Sequence, residues 1–114
     1  DKGKMEHYGT GDEIRQYIYI EDVIRASIAS ISNEYNKQKV ILVGKESISI
    51  SKLMDKLISL LEIDIEKIFK INNFDIHYKS SPFDIGLDEA FYFDIDAPTN
   101  LDDGLSQTIS SIQK

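Results

Sequence analysis

The 114-residue sequence predicts a mixed α/β (α+β) fold of short strands and three to four helices. Three observations predict it. Ile14, Gln16 and Ile18 alternate with Arg15, Tyr17 and Tyr19, the two-residue period of a strand. Val23, Ile24, Ser27, Ile28 and Ile31 recur at three- and four-residue steps, and Leu53, Met54, Leu57, Ile58, Leu60 and Leu61 likewise form an apolar helical face. Between them Val40-Ile41-Leu42-Val43-Gly44 is a short continuous apolar run, the pattern of a strand covered on both faces within a large sheet.

The elements follow in order. Met5 to Tyr8 leads into Gly9-Thr10-Gly11-Asp12, a turn cluster whose glycines admit positive φ, and the strand Ile14–Ile20 is expected to complete a hairpin with what precedes it. A helix is expected from Glu21-Asp22, acids that complement the helix dipole, to Asn33. After the polar link Asn36 to Lys39 come the apolar strand and a second helix from about Ile50. Ile65, Ile68 and Phe69 predict a further helical turn, Phe74 to Tyr78 a strand ended by Ser80-Ser81-Pro82, and Asp88 to Phe93 a helical turn. Thr99-Asn100-Leu101-Asp102 has the form of a helix-start box with the Thr99 hydroxyl as cap, opening a last helix on Leu105, Ile109 and Ile112.

Composition narrows the function. Cysteine is absent, which removes disulfides, thiolate metal sites and cysteine nucleophiles and fits a reducing, cytoplasmic location. The net charge of −7 argues against nucleic acid and anionic membrane as partners. No apolar run approaches the ~20 residues that cross a bilayer, and no signal peptide is expected from Asp1-Lys2-Gly3-Lys4, so the chain reads as soluble. At this length about two-thirds of the unfolded surface can be buried, enough for a single domain over residues 1–114. Residues 72–114 hold only Lys79 and Lys114 against eight acids, so an anionic ligand is expected to meet the first part of the chain.

Gly9-Thr10-Gly11-Asp12-Glu13-Ile14-Arg15-Gln16-Tyr17-Ile18-Tyr19-Ile20-Glu21-Asp22-Val23 resembles the G-x-G-x-x-x-R-D-[FY]-[IV]-[HY]-V-x-D-[VL] segment of the NAD-dependent epimerase/dehydratase family, the extended short-chain dehydrogenases/reductases acting on nucleotide sugars. Val40 to Gly44 resembles that family's following strand, Ser49 to Leu61 its next helix, and Pro98-Thr99-Asn100-Leu101-Asp102-Asp103-Gly104-Leu105 its P-x-T-x-L-x-x-G-L ending. The resemblance implies the carboxyl-terminal, substrate-binding portion of an extended Rossmann-type enzyme. The G-x-x-G-x-x-G loop and the Tyr-x-x-x-Lys pair of the cofactor half are not in the sequence, so NAD or NADP is expected only in the full-length protein and no catalysis in this portion. The implied partners are a nucleotide-diphosphate sugar and the missing amino-terminal Rossmann half; an uncovered Val40–Val43 strand would also be a template for a homodimer. A non-catalytic binding or interaction module derived from the same fold is the alternative.

The resemblance aligns Arg15 with the arginine that contacts the ligand diphosphate, and it is one of only two arginines. The bland alternative is a surface pair with Asp12 or Glu13. Tyr17 is expected to wall the ligand or to pack, and Lys79 to substitute loosely for a second diphosphate arginine, because Ser81 stands where the family's R-P-G-D box has one. Asp22 reads as structural, at a strand–helix corner. Tyr35 and Lys39 have the Tyr-x-x-x-Lys spacing, but a helix end and a strand start cannot stack them on one helical face. His7 and His77 show no metal-ligand spacing, Asp94-Ile95-Asp96 and Asp102-Asp103 read as solvated surface, and Gly9-x-Gly11 precedes a strand, so it reads as a turn and not a phosphate cradle.

Overall fold

The structure, a computed structural model, describes residues 2–71 and 90–114. In chain order the elements are β1 (Gly3–Tyr8), β2 (Ile14–Gln16), α1 (Ile20–Ala29), a 3-10 turn (Asn33–Tyr35), β3 (Lys39–Ile41), β4 (Ser47–Ser49), α2 (Ile50–Leu61), β5 (Ile65–Lys70), β6 (Ala90–Tyr92) and α3 (Leu101–Ile112). The mixed α/β class stands, with three helices among the described residues. The expected strand at Phe74–Tyr78 lies outside them, as do Asp88 and Glu89 of the turn expected over Asp88–Phe93.

The strands pair two by two. β1 runs parallel to β5 in the register Met5↔Lys67 and His7↔Phe69, β2 antiparallel to β4 with Arg15↔Ile48, and β3 parallel to β6 with Val40↔Phe91. The expected hairpin is therefore not formed. The Gly9–Glu13 turn does not return β2 along β1, because its own carbonyls are bonded elsewhere: Ser51 N–H donates to Gly11 O at 2.9 Å and Ile50 N–H to Glu13 O at 3.0 Å. Those bonds satisfy two orphan donors at the start of α2 and lay β2 beside β4 instead.

Three further expectations are corrected. Ile65, Ile68 and Phe69 sit on strand β5, since Glu62 ends α2 in the left-handed region at φ 52° and the six residues beyond are too few to nucleate a helix where β1 offers a ladder. Residues 90–92 are strand rather than helical turn, where Phe91 and Tyr92 pair with Val40 and Ile41. The apolar run forms only Lys39–Ile41, with one neighbouring strand and half-buried side chains, so the large sheet that its composition suggests is not present among the described residues.

α1 stops at Ala29, short of Asn33, where the Ser30 hydroxyl donates to Ser27 O at 2.7 Å and competes with the helical pattern. It buries Asp22 and Ala26 rather than its isoleucines; Ile20, Ile24, Ile28 and, just beyond the helix, Ile31 are 62%, 52%, 65% and 81% exposed. α2 has Ser49 as N-cap, its hydroxyl accepting from Lys52 N–H, and packs Met54 inward. The cap of α3 falls one residue later than expected. Asn100 Oδ1 accepts from Asp103 N–H at 2.8 Å, because the Thr99 hydroxyl is turned to α1 instead.

The described chain forms a slab of 56 × 39 × 17 Å, so thin that most elements keep one face to solvent. Among the described residues the buried apolar side chains are Ala26, Ile48, Met54 and Ile95. Ion pairs Lys67–Asp55 at 2.6 Å and Lys56–Asp102 at 2.6 Å tie α2 to β5 and to α3. No helix among the described residues is long and apolar enough to cross a membrane.

Candidate functional site

Two sequence-distant segments meet at one carboxylate. Asp22, in the first turn of α1, is 2% exposed. Its Oδ2 accepts from Thr99 N–H at 2.8 Å, and its Oδ1 accepts from the Thr99 hydroxyl at 3.1 Å and from Arg25 Nη2 at 2.6 Å. Arg25 in turn donates to the carbonyls of Asp96 and Ala97, at 3.1 and 3.3 Å. Burial by itself would raise the Asp22 pKa; the guanidinium and the two Thr99 donors together outweigh it and hold the carboxyl below its ordinary value. The structural role expected of Asp22 is therefore correct, and larger than a corner residue requires: it anchors the Asp96–Thr99 segment and sets where α3 starts.

The junction frames a cleft of about 350 Å³, walled by Tyr17 to Ile20 on one side and by Leu53, Leu57, Leu101 and Leu105 of α2 and α3 on the other. Gly104 is buried in α3 against the Tyr19 side chain, so that a methyl there would touch Tyr19 at about 3.5 Å. Thr99, Asn100 and Thr108 supply its polar groups. Tyr17 also borders a smaller, polar recess with Lys45, Glu46 and Pro98, in which Glu46 accepts from Leu101 N–H at 2.5 Å and caps α3 a second time. Close approach of Gly44 to the Tyr17 carbonyl fixes this edge: a Cβ at Gly44 would overlap the Tyr17 backbone oxygen.

The predicted site residues fall as follows. Tyr17 is 43% exposed on the cleft rim, and its phenol is raised above its ordinary pKa by burial, with the Arg15 charge pulling the other way. Arg15 is half-buried on β2, with Nη1 donating to Ile14 O at 2.8 Å; it is outside the lining of the large cleft but within electrostatic reach of the Tyr17 phenol. Lys79 lies outside the described residues, as do Ser81 and His77.

Glu13 is the residue that sequence reasoning missed. It is 4% exposed. Its Oε1 accepts from Thr10 N–H at 2.8 Å and from the Thr10 hydroxyl at 3.4 Å; its Oε2 accepts from Gly11 N–H at 2.9 Å and lies 3.3 Å from His7 Nε2. Desolvation opposes the charge, yet the amides of Glu13, Thr10 and Gly11 and the His7 ring bring its pKa down to about 2. His7 is thus engaged, beside Glu13 and edge-on to Phe69 at 6.3 Å, where the sequence suggested no partner. The signal in the sequence was an acid two residues after a Gly-x-Gly turn.

The Gly9–Glu13 turn is filled by the chain's own carboxylate, and Tyr35 ends a 3-10 turn with its ring 5.4 Å from that of Phe93 while Lys39 opens β3, so the pair is not on one helix. Among the described residues, no group of three or more His, Asp or Glu is placed to hold a metal ion. Compared with known proteins, the chain matches no family model, no curated protein and no solved structure.

Proposed function

We propose that this chain is the nucleotide-sugar-binding, carboxyl-terminal portion of a cytoplasmic NAD(P)-dependent epimerase, dehydratase or reductase, in which Arg15 holds the ligand diphosphate and Tyr17 borders it. The observation that carries the reading is the Asp22–Thr99 junction. The two segments with the most specific resemblance to that family, residues 9–23 and 98–105, are the ones that this carboxylate locks together beside a cleft.

The open faces support the same reading. Ile20, Ile24 and Ile28 on α1, with Ile31 just beyond it, form an exposed apolar stripe, and among the described residues β3 has one strand neighbour. Both are the elements that the resemblance assigns to contact with an amino-terminal cofactor-binding half. Binding of NAD(P) and the chemical step then belong to that half. A charge-assisted arginine–phosphate bond contributes about 1.5–3 kcal/mol, enough to govern affinity.

The test is titration of the full-length gene product with UDP- and dTDP-sugars. Arg15→Ala is expected to weaken binding by tenfold or more, on the order of one charge-assisted hydrogen bond. Equal affinity in wild type and variant removes the assigned role.

A further inference from the structure

We infer that Glu13 is a positioning residue for Arg15: its carboxylate closes an anion nest formed by the Gly9–Glu13 turn and thereby sets the register of the strand that presents the guanidinium. The inference rests on the reading above for what Arg15 holds. It is carried by the geometry of the turn.

Successive backbone N–H groups that converge in a turn make a concave site for an anion. Here the amides of Thr10 and Gly11 converge at 2.8 and 2.9 Å on the two oxygens of one carboxylate, with the Thr10 hydroxyl and His7 Nε2 at its edge. Gly11, at φ +86°, gives the turn its shape, and a Cβ there would collide with the Phe69 ring. The nest is therefore built, and the chain fills it with its own side chain.

Its position gives the consequence. The carbonyls of Gly11 and Glu13 take the first two amides of α2, and β2 begins at the next residue with Ile14↔Ser49 and Arg15↔Ile48. Arg15 thus stands two residues beyond a turn held from inside by the Glu13 carboxylate and from outside by α2. With the carboxylate gone, the buried Gly11 amide and the part-buried Thr10 amide lose their acceptor, and the turn has no reason to keep the curvature that delivers Gly11 O and Glu13 O to Ser51 and Ile50. The strand start, and the direction of Arg15, then loosen together.

The experiment titrates inorganic pyrophosphate into the intact protein as wild type, Arg15→Ala, Glu13→Ala and Glu13→Gln, in sodium chloride and in sodium formate of equal ionic strength. Hydrogen exchange at the Ile50 and Ser51 amides is followed in parallel. Expected are loss of affinity of about tenfold in Arg15→Ala and in Glu13→Ala in chloride, faster exchange at Ile50 and Ser51 in both Glu13 variants, and recovery of affinity and protection in Glu13→Ala with formate, which is small enough to fill the nest. Formate is expected to leave wild type unchanged. If Glu13→Ala does not fold, Glu13→Gln carries the test, since its amide cannot accept both N–H groups with both arms, and it too is expected to bind more weakly. Wild-type affinity in the Glu13 variants, or a loss that formate does not restore, overturns the positioning role. Undiminished affinity in Arg15→Ala overturns the functional reading and this role with it, and the exchange data then still tell whether the carboxylate shapes the turn.

Discussion

Asp22 and Thr99, 77 positions apart in the chain, share two hydrogen bonds through one buried carboxylate, and this contact fastens the start of α3 to the start of α1. A charge with 2% exposure is tolerated because Arg25 and both Thr99 donors surround it.

Removing that acceptor is expected to be costly. Asp22→Ala leaves the Thr99 amide and the Arg25 guanidinium without their partner and is expected to lower unfolding free energy by about 3 kcal/mol. Thr99→Val, which deletes only the hydroxyl donor, is expected to cost about 1 kcal/mol. Urea denaturation of the two single variants and the double variant checks both, and the double is expected to cost less than the sum because the two share a bond.

Stability is expected to fall in acid. The folded-state pKa values of Glu13 and Asp22 are both lowered, Glu13 to about 2, so each carboxylate stabilises the fold fully above its unfolded pKa and loses that contribution as pH drops through the folded value. For Glu13 the contribution at neutral pH is on the order of 3 kcal/mol. Thermal melts are expected to show Tm flat from pH 7 to about 5 and falling steeply between about 4 and 2, with a shallower fall in Glu13→Gln.

The helix caps give a sharper check of the α3 start. Asn100→Ala is expected to cost about 1 kcal/mol, the price of an N-cap, while Asp102→Ala, at the position the box pattern favoured, is expected to cost less than about 0.5 kcal/mol because its exposed pair with Lys56 is worth little.

Gly11 and Gly44 are expected to resist substitution for different reasons. Gly11→Ala places a methyl in the Phe69 ring at a φ of +86°, and Gly44→Ala places one on the Tyr17 carbonyl oxygen. Each is expected to destabilise by about 2 kcal/mol or more, read from denaturant midpoints. Gly44→Ala is also expected to disturb the Tyr17 rim of the cleft.

The exposed stripe of α1 is expected to behave oppositely to a core. Ile24→Lys and Ile28→Lys are expected to change the unfolding free energy of this chain by less than about 0.5 kcal/mol in urea denaturation, since those side chains meet solvent here.

Helix α2 was legible from residue pattern because its apolar positions are a local signal, though its Ser49 cap was not read, and α3 was legible except for its cap. Strand β5 was not. Ile65, Ile68 and Phe69 satisfy a helical spacing as well as a strand, and the decision came from β1, which lies some sixty residues earlier and supplies the hydrogen bonds. The same holds for the hairpin. Gly-x-Gly between a strand-like start and a strand is its ordinary mark, but here the turn's carbonyls are claimed by Ile50 and Ser51.

The sequence by itself determined the mixed class, the helical periods, the acidic balance and the structural acid at Asp22, all properties of residue type and near spacing, whereas the candidacy of Arg15 and Tyr17 came from the family resemblance. Tertiary structure decided which strands pair, that Thr99 serves Asp22 and not its own helix, that the isoleucine face of α1 is the open one, and that Glu13 is buried. The physical reason is common to all of these: a polar group's partner, and an apolar face's cover, are chosen among every group that folding brings within reach, and most of those lie far away along the chain.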